Sequence, residues 1–277
     1  MSLAQRVKLK APAKSVLTLD IERTPGIATV KHRGLTITGD FWDLNSWKHT
    51  IGRRIHPDDV TEWPRTICAA WNWYGDDRVQ FAAEWDKGGR DALLAKTWDA
   101  MDKAHVIVGH NISGFDVKKL RFDWAQAGYN PPRPTKHADT LKIARREFGA
   151  ESNTLDSLCQ RFGIVAKTDR YSVQMARDAV AGNRAAQRQI KAYNSGDIAA
   201  SLGLYDFVRP WDASHPHSLI GPSDDRPTCP NCWHGNTLEP NGFTLANLIL
   251  YRLYRCACGA NVKGSRHARA ASTRGAR

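Results

Sequence analysis

The chain has 277 residues, 42% hydrophobic and 25% charged, with a net charge of +12 and a pI near 9.6. That composition supplies a core for one ordinary domain plus a small appendage and excludes a globally disordered chain. The positive excess selects a polyanionic partner, nucleic acid ahead of an anionic membrane surface.

Residues 1–14 carry Arg6, Lys8, Lys10 and Lys14 without an apolar stretch after them, a basic lead-in rather than a secretory signal. Ser15 to Glu22 follows as a buried strand that ends in two acids. Side chains alternate along a strand, so Asp20 and Glu22 share a face and Ile21 takes the other. Ile27 to Asn45 reads as a second strand with loops around Gly34 and Gly39, then an irregular polar segment runs to Pro64. Thr66 to Tyr74 and Arg78 to Trp85 form a hairpin about Gly75-Asp76-Asp77. Arg90 to Met101 is helical, with Leu93, Leu94 and Trp98 on one side. His105 to Gly109 is a short buried strand. Ser113 can cap a helix from Phe115 to Gly128. Further helices span Asp139 to Phe148, Thr154 to Phe162 with Asn153 as cap, Ser172 to Val180, and a long stretch from Asn183 to about Phe207. Strands, a βα unit and then helices describe an α/β domain with a mixed sheet over 15–210.

Pro- and Ser-rich residues 211–226 read as a linker. Residues 227–264 hold four of the six cysteines, and 265–277 form a basic tail; no acidic residue follows Glu239. The apolar run Phe243 to Tyr254 is interrupted by Asn247 and Arg252 and is too short to span a bilayer. Clustered cysteines without a secretion signal point to metal in a reducing, cytoplasmic setting rather than to disulfides. Cys68 and Cys159 lie in apolar patterns and are expected to be buried. Most of the ten tryptophans belong to the core, with some free to stack on bases.

Two acids side by side oppose each other's ionisation, and a bound divalent cation relieves them. The alternative is a strand that runs out into a solvated acidic turn. The run Val106 to Asp116 is a strand, a Gly-containing turn and a helix start. It places Asp116 in a first helical turn, where an acid also complements the helix dipole. Tyr193 and Asp197 are four residues apart and share a face if the helix is continuous. If Asn194-Ser195-Gly196 ends the helix instead, Asp197 caps the next one and the two diverge.

Asp20-Ile21-Glu22, Asn111 through Phe115-Asp116, and Tyr193 with Asp197 together resemble the three motifs of the DEDD 3′–5′ exonucleases. That group includes the proofreading domains of family A and family B DNA polymerases, on a ribonuclease H-like fold. Tyrosine ahead of the last acid is similar to the DEDDy branch. The resemblance covers Val16 to Val208. It implies a ribonuclease H-like mixed sheet flanked by helices, with Asp20, Glu22, Asp116 and Asp197 holding two Mg²⁺ or Mn²⁺ ions. It also implies Tyr193 orienting the attacking water, and Asn111 and Phe115 touching substrate. Local alternatives are a helix-entry hydrogen bond for Asn111 and core packing for Phe115. Asp139 reads as a structural N-cap rather than a fifth acid of the site, and His110 as a turn residue rather than a base. The expected activity is hydrolysis of DNA from single-stranded or frayed 3′ ends. RNA as substrate, or binding without catalysis, are the other readings. A polymerase or replication protein is a candidate partner.

Cys229-Pro230-Asn231-Cys232 and Cys256-Ala257-Cys258-Gly259 resemble the knuckles of a zinc ribbon, implying one structural Zn²⁺ on four thiolates. The second pair is one residue shorter than usual, and His234 could replace a ligand. The ribbon and tail would grip phosphate backbone or a protein.

Overall fold

The computed structural model describes residues 16–46, 55–164, 171–212, 214–215, 229, 237–246 and 249–270. Its main sheet has five strands: β1 (Val16–Arg23), β5 (Thr66–Trp73), β6 (Gln80–Ala83), β7 (Val106–Gly109) and β8 (Lys136–Asp139). β2 (Ile27–His32), β3 (Leu35–Asp40) and β4 (Val60–Glu62) lie elsewhere. The order is β6-β5-β1-β7-β8. β5 runs antiparallel to both β1 and β6, whereas β7 and β8 run parallel to β1. This is a mixed sheet, as expected from the sequence.

The helices are α1 (Phe41–Ser46), α2 (Gly89–Lys103), α3 (Asp116–Gln126), α4 (Thr140–Glu147), α5 (Leu155–Arg161), α6 (Val173–Val180) and α7 (Arg184–Val208). β1 sorts them by its pleat. Leu17, Leu19 and Ile21 pack with Leu93, Leu94, Val117, Leu120 and Trp124 of α2 and α3. Val16, on the opposite face, packs with Val106, Val108 and Tyr205 of α7. Asp20 and Glu22 continue the Val16 row, so the strand's alternation alone delivers both acids to the side of α7.

Several boundaries depart from the sequence reading. The polar segment between β1 and β5 is not one strand with loops. β2, β3 and β4 make a separate three-stranded sheet in the order β3-β2-β4, packed with α1 over Ala28, Val30 and Leu44. Ser113 does not cap α3: Phe115 holds that place without a side-chain bond. Thr154, not Asn153, caps α5. α7 runs unbroken through Asn194-Ser195-Gly196, because its inward row of Gln187, Ile190, Asn194, Asp197, Ser201, Leu204 and Val208 is buried at alternating three- and four-residue spacing. Tertiary packing of that row overrides the weak helix propensity of the triplet. Cys68 and Cys159 are buried, as expected.

β9 (Leu238–Ala246), β10 (Ile249–Cys256) and β11 (Asn261–Ala270) form a third sheet in the order β11-β10-β9. β11 reaches Ala270, beyond the expected start of the tail at residue 265. Among the described residues no helix is long and apolar enough to cross a membrane.

Candidate active site

The site lies where β1 emerges between β5 and the shorter β7. β7 stops at Gly109, and a side chain there would strike the Leu19 carbonyl at 3.0 Å and Ile112 Cβ at 2.9 Å. The strand can therefore press close only as glycine. The turn that follows needs Asn111 in the left-handed region, at φ 62°, which asparagine tolerates better than most residues. It is tied down from below. Asp139 accepts the backbone N–H groups of Asn111 (3.0 Å) and Ser113 (3.1 Å). The same carboxylate caps α4 through the N–H groups of Leu141 and Lys142. Asp139 is thus the structural cap the sequence suggested, serving two elements at once. His110 is likewise a turn residue: Nδ1 meets Thr140 Oγ1 at 3.0 Å and Nε2 meets the Asn153 carbonyl at 2.9 Å.

This turn delivers Asp116 at the start of α3. Its Oδ1 accepts the Ile21 N–H at 3.2 Å, so it sits against the backbone between the two acids of β1. Carboxylate oxygens of Asp20, Glu22 and Asp197 lie within 4.8 Å of one another. Asn194, one turn before Asp197 on α7, donates through Nδ2 to Asp20 Oδ2 at 2.5 Å. The four acids therefore meet at one strand tip, with Asp116 buttressed on β1 and the other three forming the tighter cluster. Phe115 is exposed beside them, and Lys119 Nζ stands 5.9 Å from its ring centre. It is not a core residue. The Asn111 side chain fills the space over Gly114, where a Cβ would come 2.3 Å from Asn111 Oδ1. Asn111 thus buttresses the turn.

The neighbours register the concentrated negative charge. Asp116 is held well above the usual carboxylate range, first by burial and then by Asp20. Burial, followed by Glu22 and Asp20, also pushes up the Cys68 thiol and the Tyr193 phenol. Tyr171, whose ring lies 6.2 Å from that of Tyr193, is raised by burial and then by Glu22. Arg23, next in the chain, does not cancel this field. It is buried on the opposite pleat and donates to the Pro64 carbonyl at 2.9 Å. Hard oxygen donors crowded in this way, around groups that resist ionising, fit divalent cations of the Mg²⁺ or Mn²⁺ kind.

Asn194 was not singled out in the sequence. Its signal was present: a polar residue inside the apolar seam of a long helix, three positions from Asp197. At the end of β10, sulfur atoms of Cys229, Cys256 and Cys258 lie within 4.8 Å of one another, with Cys229 and Cys258 3.6 Å apart. A tetrahedral metal with bonds of about 2.3 Å to sulfur has edges near that length. Cys232 and His234 lie outside the described residues.

A family model described as an exonuclease, of the RNase T kind, matches residues 86–169. That span includes Asn111, Phe115 and Asp116 but neither the β1 acids nor Asp197, and it is well under half of the chain. The similarity to DEDD-type exonucleases read from the motifs thus recurs in the family model. No curated protein matches the chain. Among solved structures, a family B DNA polymerase from the hyperthermophilic archaeon Pyrobaculum calidifontis aligns with a TM-score of 0.46 and 17% identity. The alignment covers 71% of this chain and 24% of the polymerase, so the chain spans about a quarter of that protein's length.

Proposed function

We propose that the chain is a metal-dependent 3′–5′ exonuclease that hydrolyses DNA from single-stranded or frayed ends. The observation that carries this reading is the meeting of Asp20, Glu22 and Asp197 within 4.8 Å, with Asp116 bonded to the backbone between the first two. In a chain of net charge +12, four converging acids serve no purpose in merely holding a polyanion. They suit a site that takes up cations first.

Asp20, Glu22, Asp116 and Asp197 would hold two Mg²⁺ or Mn²⁺ ions, which when bound supply the charge that activates a water and steadies a leaving 3′ oxygen. The remaining roles fall to the protein. Asn194 fixes one oxygen of Asp20. Tyr193 keeps its proton at neutral pH, since burial and the flanking acids raise its phenol. It therefore acts as a hydrogen-bond partner that orients the attacking water, not as the base. Phe115, exposed at the entrance to α3, would meet the terminal base. Cys229, Cys256 and Cys258, with Cys232, would hold one structural Zn²⁺. A segment with so small a core gains folding energy from such a metal.

The test is direct. Oligonucleotides labelled at the 5′ end, DNA and RNA, are incubated with Mg²⁺, Mn²⁺ or chelator. A ladder shortening from the 3′ end, present with metal and absent in Asp20→Ala, is expected on DNA. A ladder on RNA alone moves the substrate. Intact oligonucleotide retained in a gel shift under every condition overturns catalysis.

A further inference from the structure

α3 has two faces with different tasks. Asp116, Val117, Leu120, Asp123 and Trp124 are buried. The outward face is Phe115, Lys118, Lys119 and Phe122, at helical spacings of three, four and seven. Phe122 is 58% exposed, one of the more exposed large apolar side chains described, and Phe115 is 37% exposed. Lys118 is exposed and Lys119 half-buried between them. The acids of this helix turn away: Asp116 faces the Ile21 N–H, and Asp123 pairs with Arg90 at 3.1 Å and accepts the Thr66 N–H. The outward row is consequently apolar rings alternating with positive charge. Burial and the nearby Arg23 lower the Lys119 ammonium, against an opposing pull from Asp123, and Lys118 adds to the lowering. Lys119 thus has Arg23 and Lys118 as cationic neighbours.

From these features we infer that the outward face of α3 is a substrate track, on which single-stranded DNA upstream of the scissile 3′ end stacks on Phe122 and passes its phosphates over Lys118 and Lys119. The inference rests on the nuclease reading and extends it from the terminal nucleotide to the next few. Rings with interleaved cations suit single strands because every base has a face to stack and every phosphate a charge to pair. The row begins beside the acid cluster, at Phe115, so a strand whose end sits there can lie along it without a gap. Seven residues of helix rise about 10 Å, the length of roughly three stacked nucleotides at about 3.4 Å each.

The track makes length the readout. Single-stranded DNA oligomers from two to ten nucleotides are digested by wild type, Phe122→Ala, Phe122→Trp and Lys118→Ala, all with Mn²⁺. For Phe122→Ala the expected loss in kcat/KM is roughly five- to a hundredfold on the longer oligomers, in line with a lost base–aromatic stack. That loss should vanish on the dinucleotide, and Phe122→Trp should restore it. Lys118→Ala should also flatten the salt dependence of binding. A loss equal at every length, or none on the ten-nucleotide strand, overturns the track. If wild type cuts nothing, the nuclease reading fails by itself. Fluorescence anisotropy with the same labelled oligomers then decides the track: weaker binding by Phe122→Ala supports it, and unchanged binding refutes it.

Discussion

Asn194 is the sharpest place to perturb the site, because it touches an acid of the cluster without being one. Its side chain is fully buried and donates to Asp20 at 2.5 Å. A hydrogen bond to a charged group contributes about 1.5–3 kcal/mol, a factor of roughly 10–150 when it acts on one step. Outer partners of metal-binding groups independently show losses of about 10–100-fold in affinity or activity. Asn194→Ala should therefore lower kcat/KM and Mn²⁺ affinity by one to two orders of magnitude. Global stability should fall by about 3–12 °C, since each kcal/mol shifts the Tm of a protein this size by about 2–4 °C. Asn194→Asp keeps the shape but places another carboxylate against Asp20, and two carboxylates at that distance cannot both ionise without a cation. It should lose as much activity as the alanine variant and lean harder on added metal for its Tm. The assays are calorimetric Mn²⁺ titration and single-strand digestion at 20 °C, far enough below unfolding that folded fraction does not enter. Activity and Mn²⁺ affinity within twofold of wild type for Asn194→Ala would refute the assignment of Asn194 as the group that aims Asp20.

Four further outcomes are expected. Mn²⁺ at about a hundred times its Kd should stabilise the chain by about 2.7 kcal/mol, read as a rise in Tm that Asp197→Asn abolishes; a Tm blind to Mn²⁺ counts against the cation site. Gly109→Ala should cost about 1–3 kcal/mol by overpacking against the Leu19 carbonyl and Ile112. It should also depress activity, since the clash lies directly beneath Asp20, and chemical denaturation measures the first effect. Tyr74, half-buried against Tyr205 of α7, has its phenol pushed up to about 12, mainly by burial. A folded pKa above the unfolded value of about 10 stabilises fully below pH 10 and is lost as pH climbs towards 12. Alkaline unfolding should therefore steepen across that window and soften in Tyr74→Phe, as followed by tyrosinate absorbance. Metal analysis should find one zinc per chain, released on treatment with a thiol-reactive mercurial and absent from Cys256→Ser; a zinc-free native protein would exclude the ribbon site.

How far the sequence disclosed this molecule differs by element. β1, β5, β7 and the helices from α2 to α7 were legible because each buries one face, and burial imposes a period on the chain. The region between β1 and β5 was not. Among the described residues its small sheet fully buries Ala28, Val30 and Leu44 and only partly covers Ile37, Phe41, Ile55 and Val60, so the apolar period is weak against the polar residues between them. β8 escaped because four residues in a parallel strand give periodicity little to act on. The acids were found through their spacing and resemblance, but their supports were not. Asp139 holding the Asn111 turn depends on a register between β7 and β8 that pairs distant residues, and Asn194 looked like a helix end until the packing of α7 was known.

The location of the site follows from a conflict between local and global charge. A chain with twelve excess positive charges could have surrounded its acids with lysine and arginine, and a cation site would then be neutralised before any metal arrived. The arginine next to the β1 acids in the chain is turned away from them. Arg23 follows Glu22 directly, yet strand alternation sends it to the opposite face, where it donates to Pro64 and has Asp123 nearby. Asp123 in turn takes Arg90. These contacts hold Arg23 and Arg90 on the α3 side of β1, away from the face on which the pleat aligns Asp20 with Glu22. Asp116 bridges the two faces, entering from α3 but bonding the Ile21 N–H between the acids.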